Sequence, residues 1–587
     1  MTIDAADTQA EDKVIYTPTH TAQVMGRRWA VAAGHPLAAG AAARILAAGG
    51  NAVDAGVAGG ICLGVVHPDM VSTAGVAPIL VHLAATRETH QVSGVGPYPR
   101  GASYEYFRDK CGGQLPKGLL RTVVPASPAA WLAALERWGT MSFADVIAPA
   151  LECAERGYAL SNFSAHQMAV NEAGFRAWPT SAAVFQPNGR PIRAGEVLVQ
   201  RELGETFRAM IAAEKKAGGS RANGVRAARD HFYRGDPARA IAKFHAENGG
   251  LMTYEDLATF EVEVEAALRT TFREYEVACS GFWCQGPALL QALNLLEPYD
   301  LVRLGHNSPA YIHLLVEAIK LAFADRDAYY GDPLHVKVPA DGLLSKAYAD
   351  ARRTLLREDR AWPEMPPAGD PYGLAAVRNG NGKHPVAGGK ERSSLDTSYI
   401  SVVDEQGNAF SATPSDPGLD SPIIPGVGAV VSPRGSQGWL DPEHPSVVAP
   451  GKRPRLTPAP AMMLRDGRAV MPFGTPGGDV QQQAMLQVMM NVTQFGMPMQ
   501  NAIEAPRVAS RSFPDSFWPH AYAPGKLEAE GRIPGETLAA LARLGHGVSA
   551  WPDWEWRAGA VCGIYIRPDG TRMCGADPRR GAHAIAS

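Results

Sequence analysis

A mixed α/β body, with stacked sheets covered by helices, is the fold class this chain predicts. Two observations predict it. Before Thr397 the chain runs in helical blocks, with apolar residues at helical spacing. After Thr397 it runs in short β-rich segments broken by turn residues. Helical blocks followed by hairpins suit sheets whose faces are covered by helices. The composition is ordinary for a globular protein, with 46% apolar and 20% charged residues among 587. Length alone allows roughly three or four domains or one large body.

Met1 to Arg27 reads as an arm leading into a first strand. His35 to Ala48 reads as an alanine-rich helix stopped by Gly49-Gly50. Asn51 caps the next helix, which runs to Val66, and Asp54 stands at capping-box spacing. That helix is rich in small residues and can pack very close to a sheet. The block Glu317 to Arg326 reads as a helix whose charges form buried anchoring salt bridges. Arg357 to Arg392 is irregular, marked by Pro363, Pro366, Pro367, Pro371, Gly380, Gly382, Gly388 and Gly389. Met462 to Leu464 and Ala469 to Phe473 form a hairpin around Asp466-Gly467. It delivers Gly474-Thr475-Pro476-Gly477-Gly478-Asp479 to the start of a helix over Val480 to Phe495. Trp551, Trp554 and Trp556 are expected to pack on a sheet rather than line a pocket.

A second hairpin carries the chemistry. β-branched and aromatic residues run from Thr397 to Val403, Asp404 to Asn408 is turn chemistry, and Ala409 to Thr413 returns. With Gln406 at the apex, Thr397 lies opposite Ser415 and Tyr399 opposite Thr413. Two hydroxyls then meet at Thr397; a slip by one residue is the alternative register.

Charge and motifs exclude several classes. The net charge is −3, from 56 basic and 59 acidic residues, and neither half is strongly basic. Nucleic-acid and anionic-membrane partners are therefore not expected. Seven scattered cysteines form no CxxC pair, so neither a disulfide framework nor a zinc site is expected. No run of about 18 apolar residues suggests a membrane span. Met1 to Met25 lacks a basic n-region and an apolar h-region, so a cytoplasmic location is expected. There is no P-loop, HExxH, GxSxG elbow or dinucleotide fingerprint, and no metal or cofactor is expected.

Asp396-Thr397-Ser398-Tyr399-Ile400-Ser401-Val402-Val403-Asp404, with Gly407-Asn408-Ala409 behind it, resembles the processing site of the γ-glutamyltransferase (γ-glutamyltranspeptidase) family of N-terminal-nucleophile hydrolases. Gly49 to Ala55, Pro450-Gly451-Lys452-Arg453-Pro454, Gly474 to Asp479 and Gly575 to Arg580 extend the resemblance from about Gly34 to Gly581. The resemblance implies a four-layer αββα sandwich. It implies self-cleavage between Asp396 and Thr397, giving fragments 1–396 and 397–587 that stay folded as one body. A pairing of two such bodies is left open. It also implies that Thr397 is the nucleophile and that the backbone of Gly477 and Gly478 forms the oxyanion hole. The chemistry gives a reason. A threonine hydroxyl needs a base beside it, and a free α-amine, with a pKa of roughly 7.7–8.0, suits that role. Cleavage creates the amine and uncovers the hydroxyl in one event. Ser415 or Thr413 would hold the Thr397 hydroxyl in position.

The chain departs from the family at its substrate clamp. Ser93 to Pro99 stands where a carboxylate-binding arginine is expected, and Arg100 comes several positions late. Leu456-Thr457 replaces a pair of serines. Arg434-Gly435 resembles an acylase-like, non-glutamyl branch; Arg434 either meets an acidic group on the substrate or is structural. Arg434, Thr457, Tyr399 and Arg100 are the residues expected at the substrate. The expected activity is hydrolysis of a small non-glutamyl amide through a Thr397 acyl-enzyme. The alternatives are a glutathione hydrolase/γ-glutamyltransferase with a rearranged clamp, and an unprocessed, non-catalytic binding protein.

Overall fold

The computed structural model describes residues 18–378, 397–418 and 421–587. Asp396, on the upstream side of the expected cut, lies outside them, as do residues 1–17 of the arm, 379–392 of the irregular segment and 393–395.

The hairpin forms as its turn chemistry requires. Its strands are Ile400–Val403 and Ala409–Ala412, paired Ile400 with Ala412 through Val403 with Ala409. An isolated bridge between Thr397 and Ser415 continues the same register. Asp404 locks the turn by accepting from Asn408 N (2.9 Å) and Asn408 Nδ2 (2.8 Å), while Gly407 supplies a φ of 87°.

Both strands lie near the middle of a seven-stranded antiparallel sheet. Its order is His583–Ala586, Ala30–Ala33, Ile400–Val403, Ala409–Ala412, Ile79–Leu83, Glu88–Val92 and Val264–Ala266. A second seven-stranded antiparallel sheet runs Val24–Gly26, Arg572–Ala576, Cys562–Ile566, Arg468–Gly474, Ala461–Arg465, Tyr275–Cys279 and Leu268–Phe272. The sheets meet through small and medium apolar residues, among them Ala30, Ala32, Leu80, Met462, Cys562 and Cys574. Alternation along the hairpin follows from this: Ile400 and Val402 point to a helical layer, while Tyr399 and Val403 point to the other sheet. Helices including Ala52–Val66, Ser127–Trp138 and Phe143–Arg156 cover the first sheet; Pro287–Leu296, Pro309–Tyr329 and Gln481–Thr493 cover the second. The result is the four-layer αββα sandwich. Each sheet draws strands from both sides of residue 397, so the two halves of the sequence are hydrogen-bonded through both layers.

The helix Ala52–Val66 sets the height of the hairpin. Asn51 and Asp54 form the expected capping box, and every residue of the helix is buried. A Cβ at Gly56 would stand 2.2 Å from the Phe410 ring, and one at Gly59 would stand 2.2 Å from Ile400 Cδ1. Helix backbone and strand side chains therefore touch directly, and overpacking there costs about 1–3 kcal/mol. On the other outer layer, Pro309–Tyr329 carries the charges expected to anchor it. Glu317 pairs with Lys320 at 2.8 Å, Asp325 with Arg352 at 3.3 Å, and Arg326 with Asp479, all buried. Among the described residues no helix is long and apolar enough to cross a membrane.

Candidate active site

Thr397 stands at the head of the central hairpin and is 1% exposed. Its Oγ1 lies 2.9 Å from Ser415 Oγ. The backbone locks this pair in place: Ser398 N donates to Pro414 O (2.9 Å) and Ser415 N to Val76 O (3.0 Å). Gly75 makes room, since a Cβ there would lie 2.3 Å from Ser415 O. Of the two hydroxyls expected to hold Thr397, Ser415 is the one that meets it. Thr413 is buried in the strand continuation, with its N–H donating to Pro78 O at 3.1 Å.

Arg434 arrives from a short helix, Arg434–Gln437, and is fully buried. Its Nη2 donates to Ser415 Oγ, its Nε to Asp416 Oδ1, and its Nη1 to Thr457 Oγ1 at 3.2 Å. Phe517 lies against the guanidinium, 5.4 Å from ring centroid to Cζ. Burial pushes the Asp416 carboxyl above the ordinary carboxylate range, and the Arg434 charge pulls it back. Thr457 Oγ1 also accepts from Gln437 Nε2 at 3.0 Å. Arg434 and Thr457 thus stand together beside the candidate nucleophile, engaged with the protein.

Gly477 and Gly478 follow the second sheet's strand Arg468–Gly474 and precede the helix Gln481–Thr493. Their φ values, 125° and 56°, lie in the region open to glycine, which turns the backbone sharply before the helix. Gln285 ties this turn to the Arg434 cluster: its Nε2 donates to both Thr457 O (3.1 Å) and Gly478 O (2.9 Å). Phe517 bridges the same two places, lying 3.6 Å from where a Gly478 Cβ would be. A continuous set of contacts therefore runs from Thr397 through Ser415, Arg434 and Thr457 to Gln285 and the glycine turn. A buried hydroxyl and a glycine turn before a helix are two of the parts an acyl-transfer site uses, a nucleophile and backbone donors for an oxyanion.

Two residues expected at the substrate are placed elsewhere. Tyr399 alternates into the seam between the sheets, its ring against Gly474 and its hydroxyl 2.6 Å from Ser411 Oγ. It shares the strand face of Thr397 but is enclosed farther along the strand, between the two sheets. Arg100 is on the surface, bonded to Thr259 Oγ1 (3.1 Å), with its N–H on Asp256 Oδ1 (3.1 Å). None of the hydrogen bonds of the Thr397 cluster reaches it. Of the tryptophans, Trp551 is in the core, Trp554 stacks on Arg532, and Trp556 lies by Phe163 and Arg580. Sequence reasoning missed Asp416, Gln437, Gln285 and Phe517. Only Asp416 carried a local signal, the turn run Ser415-Asp416-Pro417-Gly418.

Among the described residues one group has the composition of a metal site: His313, Glu317 and His546. Its members are already engaged, apart from His546 Nδ1, which is buried with no hydrogen-bond partner among the described residues. His313 Nε2 donates to Arg357 O (2.6 Å), which leaves Nδ1 to accept from His546 Nε2 (2.8 Å), while Glu317 is neutralised by Lys320. The group is read as a core network.

Residues 38–587 match the sequence model of the family described as gamma-glutamyltranspeptidase. The acylase ACY 1 proenzyme of Pseudomonas sp. (strain SE83) is 34% identical over 559 residues, covering 93% of this chain and 91% of that protein. The glutathione hydrolase-like YwrD proenzyme of Bacillus subtilis (strain 168) is 31% identical over 566 residues, covering 96% and 99%. Among solved structures, a cephalosporin acylase from Bacillus halodurans superposes with a TM-score of 0.84 at 28% identity, covering 98% of this chain and 99% of that one.

Proposed function

The chain belongs to the gamma-glutamyltranspeptidase family, and from that premise we propose that it is a self-processing amidohydrolase whose nucleophile is Thr397. The observation that carries the reading is the Thr397 Oγ1–Ser415 Oγ contact of 2.9 Å at the head of a buried hairpin.

In the first step Thr397 Oγ1 attacks the carbonyl carbon of Asp396. The C–N bond breaks as the C–O bond forms, the nitrogen takes up the hydroxyl proton, and an ester links the two parts. Water then cleaves the ester, leaving a carboxylate on residue 396 and a free amine and hydroxyl on Thr397. In each later turnover the same oxygen attacks a substrate amide, and the Thr397 amine accepts the hydroxyl proton and passes it to the leaving nitrogen. Backbone N–H groups at Gly477 and Gly478 receive the charge on the tetrahedral oxygen. Water releases the acid and regenerates Thr397.

We read the substrate as a small acylamide other than a γ-glutamyl compound. Arg434 is taken up by Asp416, Ser415 and Thr457, Leu456 is apolar, and Arg100 is on the surface. No arginine of this set is placed to clamp a free α-carboxylate. The names of the relatives support an acylase and also keep a glutathione hydrolase in view. The test has two stages. Mass measurement under denaturing conditions should give two fragments, the smaller beginning at Thr397; a chain that stays whole on long incubation favours the non-catalytic binding protein. The processed protein should then hydrolyse an N-acylated cephalosporin or another acylamide faster than γ-glutamyl-p-nitroanilide. The reverse preference would return the glutathione hydrolase reading.

A further inference from the structure

Arg434 has a use that does not require it to touch substrate. A guanidinium only donates hydrogen bonds. Each of its three nitrogens is engaged by the protein: Nε by Asp416, Nη1 by Thr457, Nη2 by Ser415. The last contact matters most, because Ser415 Oγ is also the partner of Thr397 Oγ1. A cation on a hydroxyl oxygen draws electron density from it, which makes its O–H a better donor and its lone pairs poorer acceptors. Of the two ways to orient the Ser415–Thr397 hydrogen bond, the one with Ser415 donating is therefore favoured. The opposite orientation would aim the Thr397 proton at an oxygen beside a fixed positive charge, which cannot take it up.

We propose that Arg434, held by Asp416, is a positioning residue that orients the Ser415–Thr397 hydrogen bond so that Thr397 keeps its own proton for its base. The proposal rests on the reading of Thr397 as nucleophile. The backbone is shaped for the arrangement. Asp416 has a φ of 97°, in a region unusual for a residue with a side chain. That turn puts the carboxylate under the guanidinium one residue after Ser415. Gly75 leaves the space, since a Cβ there would lie 3.1 Å from Asp416 Cβ.

The experiment compares full-length protein with Arg434→Lys, Ser415→Ala and the double variant. It follows the rate of self-cleavage by mass, and kcat and KM on two probes, acetyl-p-nitroanilide and glutaryl-p-nitroanilide. A lysine keeps the charge but loses the fork. Arg434→Lys is expected to lower kcat on both probes by about tenfold to a hundredfold, the scale of a misplaced reacting group, with KM within about twofold. Because Arg434 acts through Ser415, its loss in the Ser415→Ala background should add little. A rise in KM confined to the glutaryl probe would make Arg434 a substrate ligand and overturn the proposal, as would losses that multiply. Asp416→Asn, which keeps the shape and loosens the guanidinium, should show the same kcat-only loss, and serves if the lysine variant does not fold. Thr397→Ala protein that still cleaves itself and turns over the anilides sinks the nucleophile reading instead.

Discussion

Arg326 and Arg434 are both fully buried, both pair with an aspartate and both lie against a phenylalanine ring. Their hydrogen-bond chains end in different places. Arg326 holds Asp479, Gln285 Oε1 (3.0 Å) and Pro514 O (3.0 Å), so it ties the helix Pro309–Tyr329 to the turn that starts the helix Gln481–Thr493. Arg434 is one hydroxyl away from Thr397. Gln285 links them indirectly: it accepts from Arg326 and donates to Thr457 O, of the residue whose hydroxyl takes the Arg434 bond, and to Gly478 O. Burial and charge are the same in both; what separates them is whether the chain of bonds runs to a backbone carbonyl or to the proposed nucleophile.

Four substitutions test that distinction, the largest effect first. Thr397→Ala should abolish self-cleavage and reduce turnover by about 10⁴-fold or more, read as one intact mass and a flat progress curve. Gly477→Ala forces a side chain into a φ of 125° and tilts the turn's N–H groups. Turnover should fall by about 10²- to 10³-fold while the far-ultraviolet circular dichroism stays native. Arg326→Met leaves Asp479 buried without its cation, so the denaturation midpoint should fall by the equivalent of about 3–5 kcal/mol. The fraction that remains folded should still cleave itself; if it cannot, Arg326 belongs to the site as much as Arg434 does. Arg100→Ala, at an exposed side chain, should change stability by no more than about 0.5 kcal/mol and leave KM unchanged. A raised KM there would move the substrate out to the surface at Arg100.

The parts of the site that were legible in the sequence are those fixed locally. The Asp404–Asn408 turn sets the hairpin register, so the meeting of Thr397 with Ser415 could be read from residue types and a count. The capping box at Asn51 and the glycine turn before the helix Gln481–Thr493 are local in the same sense. Asp416 with Arg434 was not legible as a pair. The partners are 18 residues apart and meet only because the Arg434–Gln437 turn folds under the end of the hairpin. Arg434 was noticed but left open between substrate ligand and structural residue. Tyr399 was misplaced for a simpler reason: alternation gives it a side of the strand, but only the second sheet shows that the side is closed by Gly474.

The first sheet also orders events in time. Ala30–Ala33 lies between Ile400–Val403 and His583–Ala586, so a segment made well before the hairpin pairs with one made well after it. No shorter nascent chain can complete that layer, because a strand that has not been made cannot lend its hydrogen bonds. Under the proposed self-cleavage, the cut would come in a chain whose first sheet has been completed. While synthesis is under way the hairpin that carries Thr397 has an incomplete sheet around it. The segments that build the glycine turn and the Arg434 helix emerge only after the hairpin itself. Translation serves as the clock, with residues 583–586 closing the sheet after the glycine turn and the Arg434 helix have been made.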